Sequence, residues 1–235
     1  MKIILVTNNS IYGRYFASEI ARLAAPDQII IETGRPSNKF YVNKLRKVGP
    51  LNFVFQYWLN LWFAREGARN LPDMILPEHI EVENINRHQL DPEDLLIGFG
   101  TSYITPKTLK RQKNGFLNLH TGLLPEYRGV KSEFWALYNR DYKNAGWTLH
   151  YMVSRLDAGD IIIRQKTEAT VENPGELRCK IIQEAVLVIA EFIGRVRSEG
   201  IESIQREPQD ETKARYYTTP TYGEWRRYRK QSGLK

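Results

Sequence analysis

Two runs of uninterrupted apolar residues, IILV at 3–6 and III at 29–31, flank a segment whose large apolar side chains recur at helical spacing. Tyr12, Phe16, Ile20 and Leu23 fall three or four apart and share one face of a helix. A strand that is apolar on both faces must be covered on both faces. A strand, a helix and a second strand in that order bring the chain back parallel to itself. The opening therefore predicts strands over 2–7 and 28–33 and places the chain in the α/β class. The expected architecture is a Rossmann-like, mostly parallel twisted sheet with helices on both faces.

The rest of the chain continues the pattern. LLIGFG at 95–100 and FLNLH at 116–120 read as buried strands, HIEVENI as a short one, and IIIRQ at 161–165 as a returning one. WTLHYMV at 147–153 alternates, with Trp147, Leu149, Tyr151 and Val153 on one face and Thr148, His150 and Met152 on the other. Helices are expected over 39–70, over 175–199, in SEFWALYNRD, and after Thr105, where a cap residue precedes a proline at the first helical position. The stretch 51–65 is aromatic. It is read as a core-facing helix, the alternative being a dimer or membrane contact presenting Phe53, Phe55, Tyr57, Trp58 and Trp62. From Glu202 onward the chain reads as extended and irregular. The division expected is a domain over 1–200 and a short basic, aromatic extension over 201–235, packed on it through Tyr216, Tyr217, Tyr222 and Trp225.

Composition removes several classes. One cysteine, Cys179, precludes an internal disulfide framework and argues against a cysteine-based zinc site. It lies in an apolar-periodic stretch, which predicts a packed thiol in a reducing compartment, hence a cytoplasmic protein. No metal centre is read. The N-terminus turns polar too soon for a signal peptide, and no stretch approaches the roughly 20 apolar residues of a membrane span. The formal net charge of +7 favours an anionic partner.

FLNLH ends in Asn118 and His120, two apart and so on one face of a strand, just before LLPEYRG. Ligands of open α/β sheets collect at the carboxyl ends of strands. Asp157 follows in the loop between the strands at 147–153 and 161–165, and His150 lies on the strand leading into that loop. An amide donor, an imidazole and a carboxylate suit acyl transfer to an amine. The first two stabilise the charge that develops on oxygen, and the imidazole, or a carboxylate through water, takes the proton from nitrogen. Taken singly, Asn118 reads as a strand end, His120 as a satisfied half-buried histidine, and Asp157 as a turn residue before Gly159. The ordered combination is what singles them out.

That combination, NLHTGLLPEYRG followed by WTLHYMV and RLDAGDII, resembles the folate-dependent formyltransferases. These include the glycinamide ribonucleotide, methionyl-tRNA and nucleotide-sugar enzymes. The resemblance is carried by residues 95–165 and extends to 1–94 through the fold. It implies Asn118, His120 and Asp157 as the catalytic trio, with His150 in support. It implies 10-formyltetrahydrofolate as donor, held by the loop with Phe99, Gly100 and Thr101 and by Leu156, Ala158, Gly159 and Asp160.

For the acceptor amine, the loop NNSIYG lacks the glycines that would cradle a phosphate, which counts against glycinamide ribonucleotide. The tRNA enzymes carry a further basic domain for which this chain is expected to be too short, so nucleic acid is not favoured. A nucleotide-linked amino sugar of surface-polysaccharide synthesis remains, with Asn9, Tyr127 and Arg128 as candidate substrate contacts and Phe134 or Trp135 as further aromatics. Arg128 is expected either to reach an anionic substrate or to stand as a solvated arginine beside the turn. A homodimer is possible.

Overall fold

The structure is a computed structural model and describes residues 1–234. Its frame is a seven-stranded sheet. Strands β1 (Ile3–Asn8), β2 (Gln28–Glu32), β3 (Ile80–Val82), β4 (Leu95–Phe99) and β5 (Phe116–His120) run parallel. A two-residue strand, β6 (Arg128–Gly129), follows the turn after β5. Then β7 (Gly146–Tyr151) and β8 (Ile161–Lys166) extend the sheet antiparallel, giving the order β3-β2-β1-β4-β5-β7-β8. The chain reverses its winding direction between β1 and β4, so a crevice opens beyond their carboxyl ends.

The uninterrupted apolar runs are explained by two cores. Ile3 and Leu5 of β1 join the larger core on one face, while Ile4 and Val6 join the smaller core on the other. The larger core lies under α1 (Ile11–Ala24), α2 (Asn38–Asn70), α4 (Ser132–Tyr138), α5 (Pro174–Glu199) and α6 (Tyr222–Ser232). The smaller one is covered by α3 (Pro106–Arg111), a 3-10 turn at Ile85–Arg87 and the loop residues Leu90 and Ile104. Local signals start these helices. Ser10 and Thr105 accept bonds from the backbone N–H groups of Gly13 and Thr108, and Asn173 caps α5 ahead of Pro174. Cys179 is buried in α5, and burial pushes its thiol up to about 12. Among the described residues no helix is long and apolar enough to cross a membrane.

Two regions differ from the sequence expectation. The stretch 51–65 is only half core-facing. α2 kinks at Gly49 (φ 77) before Pro50; beyond the kink Phe55, Leu59 and Phe63 point inward, while Leu51, Val54, Tyr57, Trp58 and Leu61 stay exposed. The tail is also not irregular to its end. Thr221 and Glu224 form a reciprocal capping box that starts α6. α6 buries Trp225 against Phe55, Trp58, Trp62 and Phe134, with Tyr228 beside it. Just before it, β9 (Tyr216–Tyr217) pairs with β6. Tyr217 stacks on Tyr127 at 5.2 Å, whereas Tyr216 and Tyr222 remain largely exposed.

Candidate active site

A cleft of about 670 Å³ lies at the carboxyl ends of β4 and β5. Asn118, His120, His150 and Asp157 all line it. The antiparallel pairing of β5 with β7 sets Asn118 directly opposite His150 and His120 opposite Thr148. Thr148 fastens the intervening turn: its hydroxyl donates to Gly122 O at 2.9 Å and accepts from Leu124 N at 3.1 Å.

The hydrogen bonds assign the imidazoles. His150 Nδ1 lies 2.9 Å from Tyr151 O; a carbonyl only accepts, so Nδ1 carries the proton. Nε2 is then an acceptor, and the Asn118 amide donates to it at 3.2 Å. Burial, together with the neighbouring His120, holds His150 well below the usual imidazole range, to about 4 against a partial counter-pull from Asp157. His150 is therefore a neutral group that fixes which way the Asn118 amide points. By the same reasoning His120 donates from Nε2 to Tyr127 O at 2.6 Å, with Ser132 Oγ 3.2 Å from that nitrogen. Its Nδ1 faces Asp157 Oδ2 at 3.8 Å.

Asp157 sits between the two rings, with Oδ1 3.8 Å from His150 Nε2. These spans are too long for direct hydrogen bonds. The carboxylate is fixed instead by Gly129 N–H, which donates to Oδ2 at 2.7 Å. Asp157 adopts φ 48, a left-handed conformation that aspartate tolerates better than most residues. Gln209 Nε2 holds this loop by donating to Asp157 O and Gly159 O.

Other sequence-predicted residues fall differently. Phe99, Gly100 and Thr101 line the cleft, and the wall continues through Ser102, Tyr103 and Ile104. Asn8 donates to Gly100 O at 2.6 Å, and the buried carboxylate of Glu32 accepts from Ser102 N at 2.7 Å, anchoring that wall to β1 and β2. Leu156 reaches the cleft, but Ala158, Gly159 and Asp160 are not among its lining residues; Met152, Val153 and Ser154 take that place. A side chain on Gly159 would strike the Tyr151 carbonyl, so this glycine packs against backbone.

Asn9 is exposed beyond β1 and does not line the cleft. Tyr127 is buried: its ring stacks on Tyr217 and its hydroxyl donates to Asp141 at 2.9 Å, leaving no face for a base. Arg128 is neither a substrate contact nor solvated. It is fully buried, and its guanidinium donates to Gln209, Glu211 and Tyr216 at 2.6–3.0 Å, clasping the tail to the turn. Phe134 and Trp135 are buried too, and Trp135 Nε1 donates to Thr218 O at 2.8 Å. Sequence reasoning missed Asn60, Lys131, Arg178 and Thr219, which also line the cleft, and Ser132 beside His120. Nothing local announces them, since three of the five come from α2, α5 and the tail.

Comparison with known proteins gives a consistent picture. The formyl transferase family model matches residues 81–186. A curated methionyl-tRNA formyltransferase of Alkaliphilus oremlandii is 32% identical over 138 residues, covering 58% of this chain and 41% of that one. The chain thus spans less than half the length of that curated relative. A 4-N formyltransferase structure from Francisella tularensis superposes with a TM-score of 0.60 at 16% identity, covering 92% of this chain and 76% of its own. An N-formyltransferase of Helicobacter canadensis, solved with folinic acid and dTDP-3-aminofucose, gives 0.60 at 15% identity, with coverage of 93% and 71%. The strand, turn and loop that carry Asn118, His120 and Asp157 all fall inside the segment that matches the formyl transferase family model.

Proposed function

We propose that this protein transfers a formyl group from 10-formyltetrahydrofolate to the amine of a nucleotide-linked amino sugar, the amine attacking directly. The carrying observation is the convergence of Asn118, His120 and Asp157 on one cleft, with a neutral His150 locking the amide. The donor's flat ring suits a cleft lined by the Gly100–Ile104 segment and by Val153 and Leu156, both apolar and exposed. Bound there, the donor supplies a formyl carbon already joined to nitrogen; the remaining demands fall on the chain's own side chains.

Asn118 has one amide hydrogen committed to His150 and one free to meet negative charge on the formyl oxygen. His120 has its Nε2 proton committed to Tyr127 O, so Nδ1 is the atom that receives the proton lost by the amine. The proton then sits in the 3.8 Å span facing Asp157, whose charge stabilises the imidazolium. That proton is returned to the nitrogen from which the formyl group departs, so atoms and charge balance.

The sugar acceptor is supported by the likeness in fold to sugar N-formyltransferases and by the excess of positive charge. Methionyl-tRNA is the second reading, favoured by the curated sequence relatives. Incubation with 10-formyltetrahydrofolate and a panel of UDP- and dTDP-linked amino sugars, methionyl-tRNA and glycinamide ribonucleotide, followed by mass spectrometry, separates them. A one-formyl gain on a nucleotide sugar is expected; a gain on methionyl-tRNA alone overturns the sugar assignment, and no gain on any amine overturns the transferase reading.

A further inference from the structure

α2 is apolar on two sides. Phe55, Leu59 and Phe63 face the core, while Leu51, Val54, Trp58 and Leu61 recur at three and four residues on the other side, with Tyr57 beside them. A helix that is apolar all round is normally covered all round. Here the second stripe stands in solvent, with Leu51, Val54 and Tyr57 at 64–66% exposure. The arm before the Gly49 kink adds Tyr41, Val42 and Leu45, also exposed. Its Phe40, Lys44 and Lys47 instead line a second cavity of about 560 Å³ between this arm and the tail, whose Thr219 also lines the cleft. Tyr41 meets Phe53 edge-on at 6.5 Å and so joins the two arms. Nine of the 21 large apolar residues exposed in the described chain lie between Phe40 and Leu61. Such a concentration marks an interaction surface, where single scattered residues do not.

The charge of this surface has one sign. No aspartate or glutamate occurs between Glu32 and Glu66, an interval that holds Arg35, Lys39, Lys44, Arg46, Lys47 and Arg65. α6, whose Trp225 packs on Trp58 at 5.9 Å, adds Arg226, Arg227, Arg229 and Lys230, all exposed. These charges choose among occupants. A second copy of this chain would set the cations against one another across a two-fold axis. A nucleic acid would meet the charge and could stack on Tyr57, but it has nothing to bury Leu51, Val54 and Leu61. A bilayer with anionic headgroups meets both demands. Its phosphates face the cations, its acyl chains take the aliphatic side chains, and tyrosine and tryptophan rings favour the boundary between them. Among the described residues no helix is long and apolar enough to cross a membrane, so α2 would lie along the surface.

We infer that the outer side of α2, flanked by the cations of α6, docks this protein on an anionic membrane surface. Leu51, Val54, Tyr57 and Leu61 enter the boundary between headgroups and acyl chains, and Lys39, Arg46 and the α6 arginines rest on lipid phosphates. The inference is independent of the acceptor assigned above and is testable without catalysis.

Co-sedimentation of the full chain with vesicles reads the surface directly. One set of vesicles is phosphatidylcholine alone, the other an equal mixture of phosphatidylcholine and phosphatidylglycerol. The wild type is expected to sediment with the mixed vesicles at least tenfold more strongly than with the neutral ones, and less so as salt rises. A variant combining Leu51→Gln, Val54→Gln and Tyr57→Gln replaces exposed residues with a good helix former. It is expected to lose at least tenfold in binding at any salt concentration. Lys39→Gln with Arg46→Gln is expected to weaken binding roughly fivefold for each charge removed. Thermal melting checks that both variants are folded. Failure of the wild type to bind mixed vesicles, equal binding to neutral ones, or undiminished binding by both variants overturns the inference. So does a dimer in sedimentation equilibrium that the triple variant abolishes, with no vesicle binding, because the face is then an interface between copies. Tighter binding to polyuridylic acid than to mixed vesicles, unchanged in the triple variant, overturns it in favour of nucleic acid.

Discussion

Replacing His150 by leucine perturbs stability in a way that depends on pH. His150 accepts a bond from the Asn118 amide and donates one to Tyr151 O, and leucine can do neither. Leaving a buried carbonyl and a half-buried amide unpaired is expected to cost about 2 kcal/mol at pH 7.5. The imidazole also carries a penalty that leucine lacks. In the folded protein its pKa is depressed from 6.5 to about 4, so only the unfolded chain gains a proton between those values. The wild type therefore keeps its full stability above pH 6.5 and loses part of it as pH falls toward 4, by about 2 kcal/mol at pH 5. Urea unfolding at pH 7.5 and pH 5 is the assay. The variant should be the weaker protein at pH 7.5 and nearly the equal of the wild type at pH 5. An unchanged gap at the two pH values refutes the claim that His150 is held neutral.

Four further outcomes are expected. Asn118→Ala and His120→Ala should each lower kcat by roughly two to three powers of ten, the size found for loss of one oxyanion donor, with the circular dichroism melt little changed. Asp157→Asn should reduce the rate and alter its pH profile, because the group facing His120 Nδ1 then bears no charge; a superimposable profile removes Asp157 from proton handling. Cys179, buried and with its thiol raised to about 12, should resist a thiol reagent until the protein is unfolded in urea. Trp225→Ala should destabilise the fold by about 3–5 kcal/mol in urea unfolding, because it empties the aromatic cluster beneath α6.

The strands were legible because a strand covered on both faces leaves an apolar run that few other structures demand, and β1, β2 and β4 each have one. Singly, Asn118, His120 and Asp157 read as a strand end, a half-buried histidine and a turn residue; only their order along the chain, and the resemblance it carries, set them apart. What stayed hidden depends on partners far along the chain. Arg128 looks like a surface arginine until Gln209 and Glu211, more than 80 residues later, close around it. Lys131 and Arg178 gain meaning only when α5 brings them to one cleft. α6 shows the opposite failure. Its capping box, TYGE, is a local signal, but the basic run RRYRK masks an apolar stripe reduced to Trp225 and Tyr228.

Arg128 and Gly129 tie the last quarter of the chain to the middle: one closes on Gln209 and Glu211, the other pairs with Tyr217 while its amide holds Asp157. The tail thus acts as a tie-rod on the Asp157 carboxylate. Trimming it before Gln209 should slacken the Asp157 loop as well as open the far cavity. Changing Thr219 alone leaves that tie and the Thr221 cap of α6 intact and alters the rim that the two cavities share. One rim position can therefore be varied without disturbing the contacts that hold Asp157.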